Sequence, residues 1–110
     1  MYEYRAVILR VVDGDTVHAD VDLGFDAHQR MTLRLSGIDT PELPTAEGVA
    51  ARQYLADRID HAGWRVTIRT EKDRREKFGR YLAELFVDGV SLNGELVERG
   101  LAQAYAGGTR

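Results

Sequence analysis

The chain has 110 residues, with 15 Lys and Arg against 18 Asp and Glu, a net charge of −3 and no cysteine. That length suits one domain with its own hydrophobic core, without staples. The lack of cysteine excludes disulfides and thiolate metal sites, and the acidic balance argues against holding a polyanion by global positive charge.

The first residues, Met1-Tyr2-Glu3-Tyr4-Arg5, run straight into a strand pattern. They lack the charged region and apolar run of a secretory signal, so a cytoplasmic location is expected. No apolar run is long enough to span a bilayer, and no membrane contact is expected. Ala6 to Val12 reads as a buried strand. Asp13-Gly14 is a turn signal, since glycine accepts the positive φ of a tight hairpin or bulge. Val17, Ala19, Val21 and Leu23 then alternate with His18, Asp20 and Asp22 as a half-buried second strand, and Gly24 to Gln29 reads as a polar connection.

Met31, Leu33 and Leu35 alternate with Thr32, Arg34 and Ser36, giving a third strand in which Arg34 points away from the leucine face. Pro41 and Pro44 interrupt the pattern. From Ala46 to Ala62 the spacing becomes helical, with Ala51, Leu55, Ile59 and Ala62 on one face and Gly63 as the stop. Arg65 to Arg69, around Val66 and Ile68, is a fourth strand. Tyr81 to Val87 is a fifth, closed by Asp88-Gly89. Leu92 to Arg99 is a short helix with Leu92, Leu96 and Val97 on one side, ended by Gly100. Ala106 to Arg110 is a loose tail. Tyr54 and Trp64 are expected in the core, and His18, His28 and His61 show no ligand spacing.

Three strands, a helix, two strands and a helix make a mainly-β α+β domain over residues 1–110. The order matches a five-stranded Greek-key barrel of the oligonucleotide-binding type, with one helix between strands three and four and a short C-terminal helix. An open α+β sheet with a helix on one face has the same pattern.

The chemistry lies in three segments. Asp15 opens strand two and Asp39 follows strand three, so pairing of those strands would bring their carboxylates together. Two carboxylates, a backbone carbonyl and waters make a flexible oxygen cage suited to Ca²⁺. Considered singly, Asp15 is also a plausible turn residue, and Asp39-Thr40-Pro41-Glu42 a helix start with Thr as cap. Glu42 is placed to take a proton from a nearby water; the plainer reading is an acid near a helix N-terminus. Arg34, mid-strand on the polar face, can grip phosphate oxygens bidentately and oppose growing charge. The competing reading is a solvated arginine or an ion pair. Arg80, following Gly79, is the natural second clamp. Between Glu71 and Arg80 a mixed, net positive run carries Lys77 and Phe78; it is either a solvated loop or a track for single strands.

Asp13-Gly14-Asp15-Thr16-Val17, Leu33-Arg34-Leu35 with Asp39-Thr40-Pro41-Glu42, Lys77-Phe78-Gly79-Arg80 and Val90 to Tyr105 closely resemble, in this order, the staphylococcal (thermonuclease-like) nuclease family. The resemblance covers nearly the whole chain. It implies a barrel that cleaves DNA and RNA, preferably single-stranded, with one Ca²⁺ and little sequence preference, leaving 3′-phosphate ends. It implies that Asp15 and Asp39 bind the ion through carboxylates and Thr40 through its main-chain carbonyl, with Asp13 an acid close behind. Glu42 would activate the attacking water, Arg34 and Arg80 would hold the phosphate, and Lys77, Phe78 and Tyr105 would contact substrate. Phe78 replaces a tyrosine of the archetype, so a hydroxyl contact to a terminal phosphate is expected to be missing. Tyr105 matches a base-stacking tyrosine, and the chain stops at Arg110, before the archetype's last helix. A monomer is expected, with a dimer as the other option. The alternative function is a non-catalytic module that binds single strands; a purely structural domain has no specific support. Glu42, Arg34 and Arg80 favour the enzyme, because binding alone needs no base beside a metal.

Overall fold

A computed structural model describes residues 2–70 and 79–105. Strand β1 (Tyr2–Asp13) is long and serves two partners. Its first half pairs antiparallel with β5 (Arg65–Thr70), and its second half with β2 (Thr16–Gly24). Register shifts between Ile8 and Arg10 and between Val11 and Asp13 bend it between them. Ala6, Ile8 and Val11 point inward and are buried.

β2 and β3 (Ala27–Leu35) form a hairpin, and β5 pairs with β6 (Tyr81–Val87). One further contact closes the circuit: Leu33–Leu35 of β3 lies parallel to Tyr81–Ala83 of β6. The five strands thus run β1-β2-β3-β6-β5 and return to β1 as a closed barrel of the oligonucleotide-binding type. The open-sheet alternative fails because β3 and β6 join the two ends. Val17, Ala19, Val21, Leu33, Leu35, Ile68 and Leu85 fill the barrel and are essentially without solvent contact.

The connections differ more from expectation. The polar stretch Gly24 to Gln29 is mostly strand; only Phe25 and Asp26 make the turn, both with positive φ (53° and 62°). Three two-residue strands have no periodicity for sequence reading to find: β4 (Ile38–Asp39), which pairs with β8 (Gln103–Ala104), and β7 (Val90–Ser91), which pairs with β6. Among the described residues, no helix is long and apolar enough to cross a membrane.

Helix α1 (Ala46–His61) starts at Thr45, whose Oγ1 accepts from Gly48 N at 3.1 Å. It buries Ala51, Leu55 and Ile59. Helix α2 (Leu92–Glu98) is capped by Ser91 and buries Leu92 and Leu96 as expected, but also Asn93. Asn93 Nδ2 donates to the carbonyls of Ser36 (2.8 Å) and Ala83 (3.2 Å), and its Oδ1 accepts from Leu85 N (3.1 Å). One amide thereby bolts α2 to β6 and to the turn that leads into β4. Tyr54 and Trp64 are half-buried against the core rather than inside it.

Glu95 joins the helices. Its Oε1 accepts from Tyr54 Oη and from Arg58 Nε, each at 2.5 Å. The Arg58 hydrogen bond outweighs burial and, with the Tyr54 hydroxyl, holds the Glu95 carboxyl below its ordinary range. A carboxyl depressed in the folded state stabilises above its unfolded pKa, and that contribution is lost as pH falls through the folded value. Glu95→Gln is therefore expected to cost about 1 kcal/mol at neutral pH after solvent screening. The gap to wild type should close below the usual carboxylate range, which thermal unfolding across pH checks.

Candidate active site

The turn between β1 and β2 is Gly14-Asp15, so Asp15 precedes strand two rather than opening it. Gly14 is required for a reason other than the positive φ expected from sequence, a conformation it does not adopt. A Cβ there would stand 2.8 Å from Ala51 Cβ and 2.9 Å from Thr40 Cγ2. The missing side chain lets α1 and the segment after β4 close over the turn. Asp15 N donates to Asp13 Oδ1 at 3.0 Å, which fixes the carboxylate's direction.

Asp39 does not merely follow strand three. A Ser36-Gly37 turn separates them, and Asp39 lies in β4, held by Gln103 of β8. Tyr105 N donates to Gly37 O at 2.8 Å, tying the segment after β8 to the same turn. Thr40 does not cap a helix: its backbone N–H donates to Asp15 Oδ2 at 3.1 Å, across the barrel mouth. The helix-start reading of Asp39 to Glu42 is thereby removed, since α1 begins at Ala46.

Arg34 stands opposite Thr16 in the β2–β3 register, with its side chain 13% exposed. Its Nη2 lies 3.5 Å from Asp15 Oδ2 and 3.3 Å from Asp39 Oδ1, while Nη1 donates to Leu35 O at 2.7 Å. The two carboxylates converge on one guanidinium nitrogen. Arg34 is thus the ion-paired arginine of the plainer reading, in the place where a phosphate clamp is also wanted. Arg80 enters through Thr16, whose Oγ1 accepts from Arg80 Nη1 at 3.5 Å and donates to Asp15 Oδ1 at 3.2 Å. Sequence reading missed Thr16 as the link between the two; a buried threonine beside an acid is too common a signal to single it out.

Burial raises the Asp15 carboxyl, but hydrogen bonds from Asp13 and the Thr40 N–H, together with the Arg34 charge, bring it below the ordinary range. Burial pushes Asp13 up, and the adjacent Asp15 adds to the rise. Of this close acid pair, Asp15 carries the charge more readily.

Glu42 sits on the exposed segment between β4 and α1, apart from this network. Its carbonyl accepts from Thr45 N (3.1 Å) and Thr45 Oγ1 (2.5 Å). The structure therefore brings together Asp15, Asp39, Thr40, Arg34 and Arg80, with Glu42 on the neighbouring loop. Lys77 and Phe78 lie outside the described residues.

Among the described residues no three His, Cys, Asp or Glu side chains are grouped to hold a metal. The donors that converge, two carboxylates near the Thr40 main chain, are all hard oxygen. They fit a divalent ion of the Ca²⁺ type that keeps several waters or substrate oxygens. They do not fit a closed structural cage.

The family model described as staphylococcal nuclease homologue matches residues 32–109. Thermonuclease of Staphylococcus hyicus is 32% identical over 88% of this chain and 57% of its own length. Protein ParB of Escherichia coli is 33% identical over 94% of the chain and 58% of its length. Micrococcal nuclease of Shigella flexneri is 29% identical over 94% and 59%. The chain thus spans somewhat under three fifths of the length of these relatives.

Proposed function

The chain belongs to the staphylococcal nuclease homologue family, and on that premise we propose that residues 1–110 form one calcium-dependent phosphodiesterase domain. It hydrolyses DNA and RNA, preferably single-stranded, with little sequence preference, and leaves 3′-phosphate ends. The observation that carries this reading is the convergence of Asp15 and Asp39 on Arg34, with Arg80 joined to them through Thr16.

Asp15 and Asp39, with the Thr40 carbonyl, would hold one Ca²⁺. When bound, the ion supplies Lewis acidity and a template for the phosphodiester. The Glu42 carboxylate takes a proton from the attacking water as its oxygen bonds to phosphorus and the bond to the 5′ oxygen breaks. Arg34 and Arg80 hold the non-bridging oxygens and oppose the negative charge that grows on them. Lys77, Phe78 and Tyr105 contact the strand.

Incubation with denatured DNA tests the reading. Cleavage is expected with calcium, is abolished by chelator and returns when calcium is restored. The product ends should resist polymerase extension until treated with phosphatase. Calcium binding followed by calorimetry should weaken in Asp15→Asn and Asp39→Asn, independently of any cleavage. Strand binding with no cleavage in calcium would overturn the enzyme in favour of the binding module suggested by the acidic net charge.

A further inference from the structure

Thr16 is the first residue of β2 and sits between Asp13 of β1 and Arg34 of β3 in the barrel register. It is 5% exposed. The strand alone does not explain a threonine there. Valine has the same branched shape and a similar preference for strands, and burying a hydroxyl costs free energy unless it is hydrogen-bonded. The oxygen needs partners, and it has them on two sides.

Chemistry fixes the direction of those bonds. A guanidinium only donates, so the Arg80 Nη1 contact at 3.5 Å uses a lone pair of Thr16 Oγ1. The single hydroxyl proton is left for the acids, since an ionised carboxylate only accepts. It meets Asp15 Oδ1 at 3.2 Å, and Asp13, the cross-strand neighbour, draws on the same hydroxyl. Arg34 needs no such intermediary: its Nη2 lies 3.5 Å from Asp15 Oδ2, and its Nη1 is anchored on the Leu35 carbonyl. The two arginines therefore address different oxygens of one carboxylate, Arg34 directly and Arg80 through Thr16.

We propose that Thr16 is a positioning residue for phosphodiester hydrolysis: its hydroxyl sets where the Arg80 guanidinium stands relative to Asp15, and so keeps the second phosphate clamp aligned with the first. In this role Thr16 touches no substrate atom and acts only through Arg80. The proposal rests on the nuclease reading and adds to it a residue whose hydroxyl, rather than its shape, is needed.

A mutant cycle on denatured DNA at saturating calcium tests this. Thr16→Val is expected to lower kcat by roughly 10–100-fold with little change in KM, the scale of one hydrogen bond to a charged group. Thr16→Ser, which keeps the hydroxyl, should recover most of the loss. In the Arg80→Ala background Thr16→Val should cost less than about threefold, because the group it positions is gone. A loss of the same size in both backgrounds overturns the proposal, and so does a Thr16→Val protein that cleaves as wild type does. A second measurement needs no cleavage. In the isotope-labelled free protein, the Arg80 Nε–H resonance is identified by its absence in Arg80→Ala. It should move in Thr16→Val and return in Thr16→Ser; an unmoved resonance also overturns the proposal. A wild type that does not cleave, with the resonance shifting as expected, would sink the nuclease reading and leave the Thr16–Arg80 link standing.

Discussion

Glu42→Gln is expected to lower kcat on denatured DNA by roughly 10³–10⁴-fold, the upper part of the range for a positioned general base. The substitution keeps size and shape and removes only the ability to take a proton. The Glu42 side chain is exposed and makes no hydrogen bond or ion pair among the described residues, so the fold should not notice the change. Its backbone, in contrast, is held. The Glu42 carbonyl accepts from both Thr45 groups, and a Cβ on Gly48 would stand 2.4 Å from that same oxygen. Glycine at this point of α1 lets the Glu42 loop rest directly on the helix, which presents a free carboxylate from a fixed platform. Equal unfolding temperatures with a collapsed kcat would place the loss in the chemistry. A variant within tenfold of wild type would remove Glu42 as the base.

Arg34→Ala is expected to slow turnover by about 10²–10³-fold, the scale for losing one charge stabiliser. Here the structure adds a second readout. Arg34 Nη2 is shared between Asp15 and Asp39, and the side chain is only 13% exposed. Removing a cation from between two carboxylates leaves their repulsion uncompensated and raises the attraction for any other cation. Calcium should therefore bind the variant more tightly even as cleavage falls. Arg34→Lys should restore little activity, because a single ammonium cannot grip two phosphate oxygens in one plane. Near-normal turnover in Arg34→Ala would end the clamp assignment. Weaker calcium binding would mean that Arg34 builds the site rather than competing for it.

Much of this was legible from residue order. Alternation placed Val17, Ala19, Val21, Leu33, Leu35, Val66 and Ile68 inward correctly, but Leu23, on the same face by period, is 41% exposed; helical spacing found Ala51, Leu55 and Ile59 on the buried face of α1. Asp15, Asp39, Arg34 and Arg80, which the structure brings together, stood out by residue type and position, whereas Thr40 was singled out only through the family resemblance. The contributions of Thr16 and Asn93 were not. Each acts through hydrogen bonds to groups far along the chain: Thr16 to Arg80, Asn93 to the Ser36 carbonyl. A polar side chain carries no local mark of such partners. Gly14 was noticed, but for the wrong reason, because its neighbours Ala51 and Thr40 come from other elements.

Period-two and helical patterns, caps and turn residues are set within a few residues, so the amino-acid order alone determined the five longer strands and both helices, though not the two-residue strands β4, β7 and β8. The parallel pairing of Leu33–Leu35 with Tyr81–Ala83, the Thr16–Arg34 register and the reach of Thr40 to Asp15 were decided only in three dimensions. The first and the last of these contacts join segments far apart along the chain. Which of many possible registers wins depends on filling one closed core, a property of the whole barrel rather than of any segment in it.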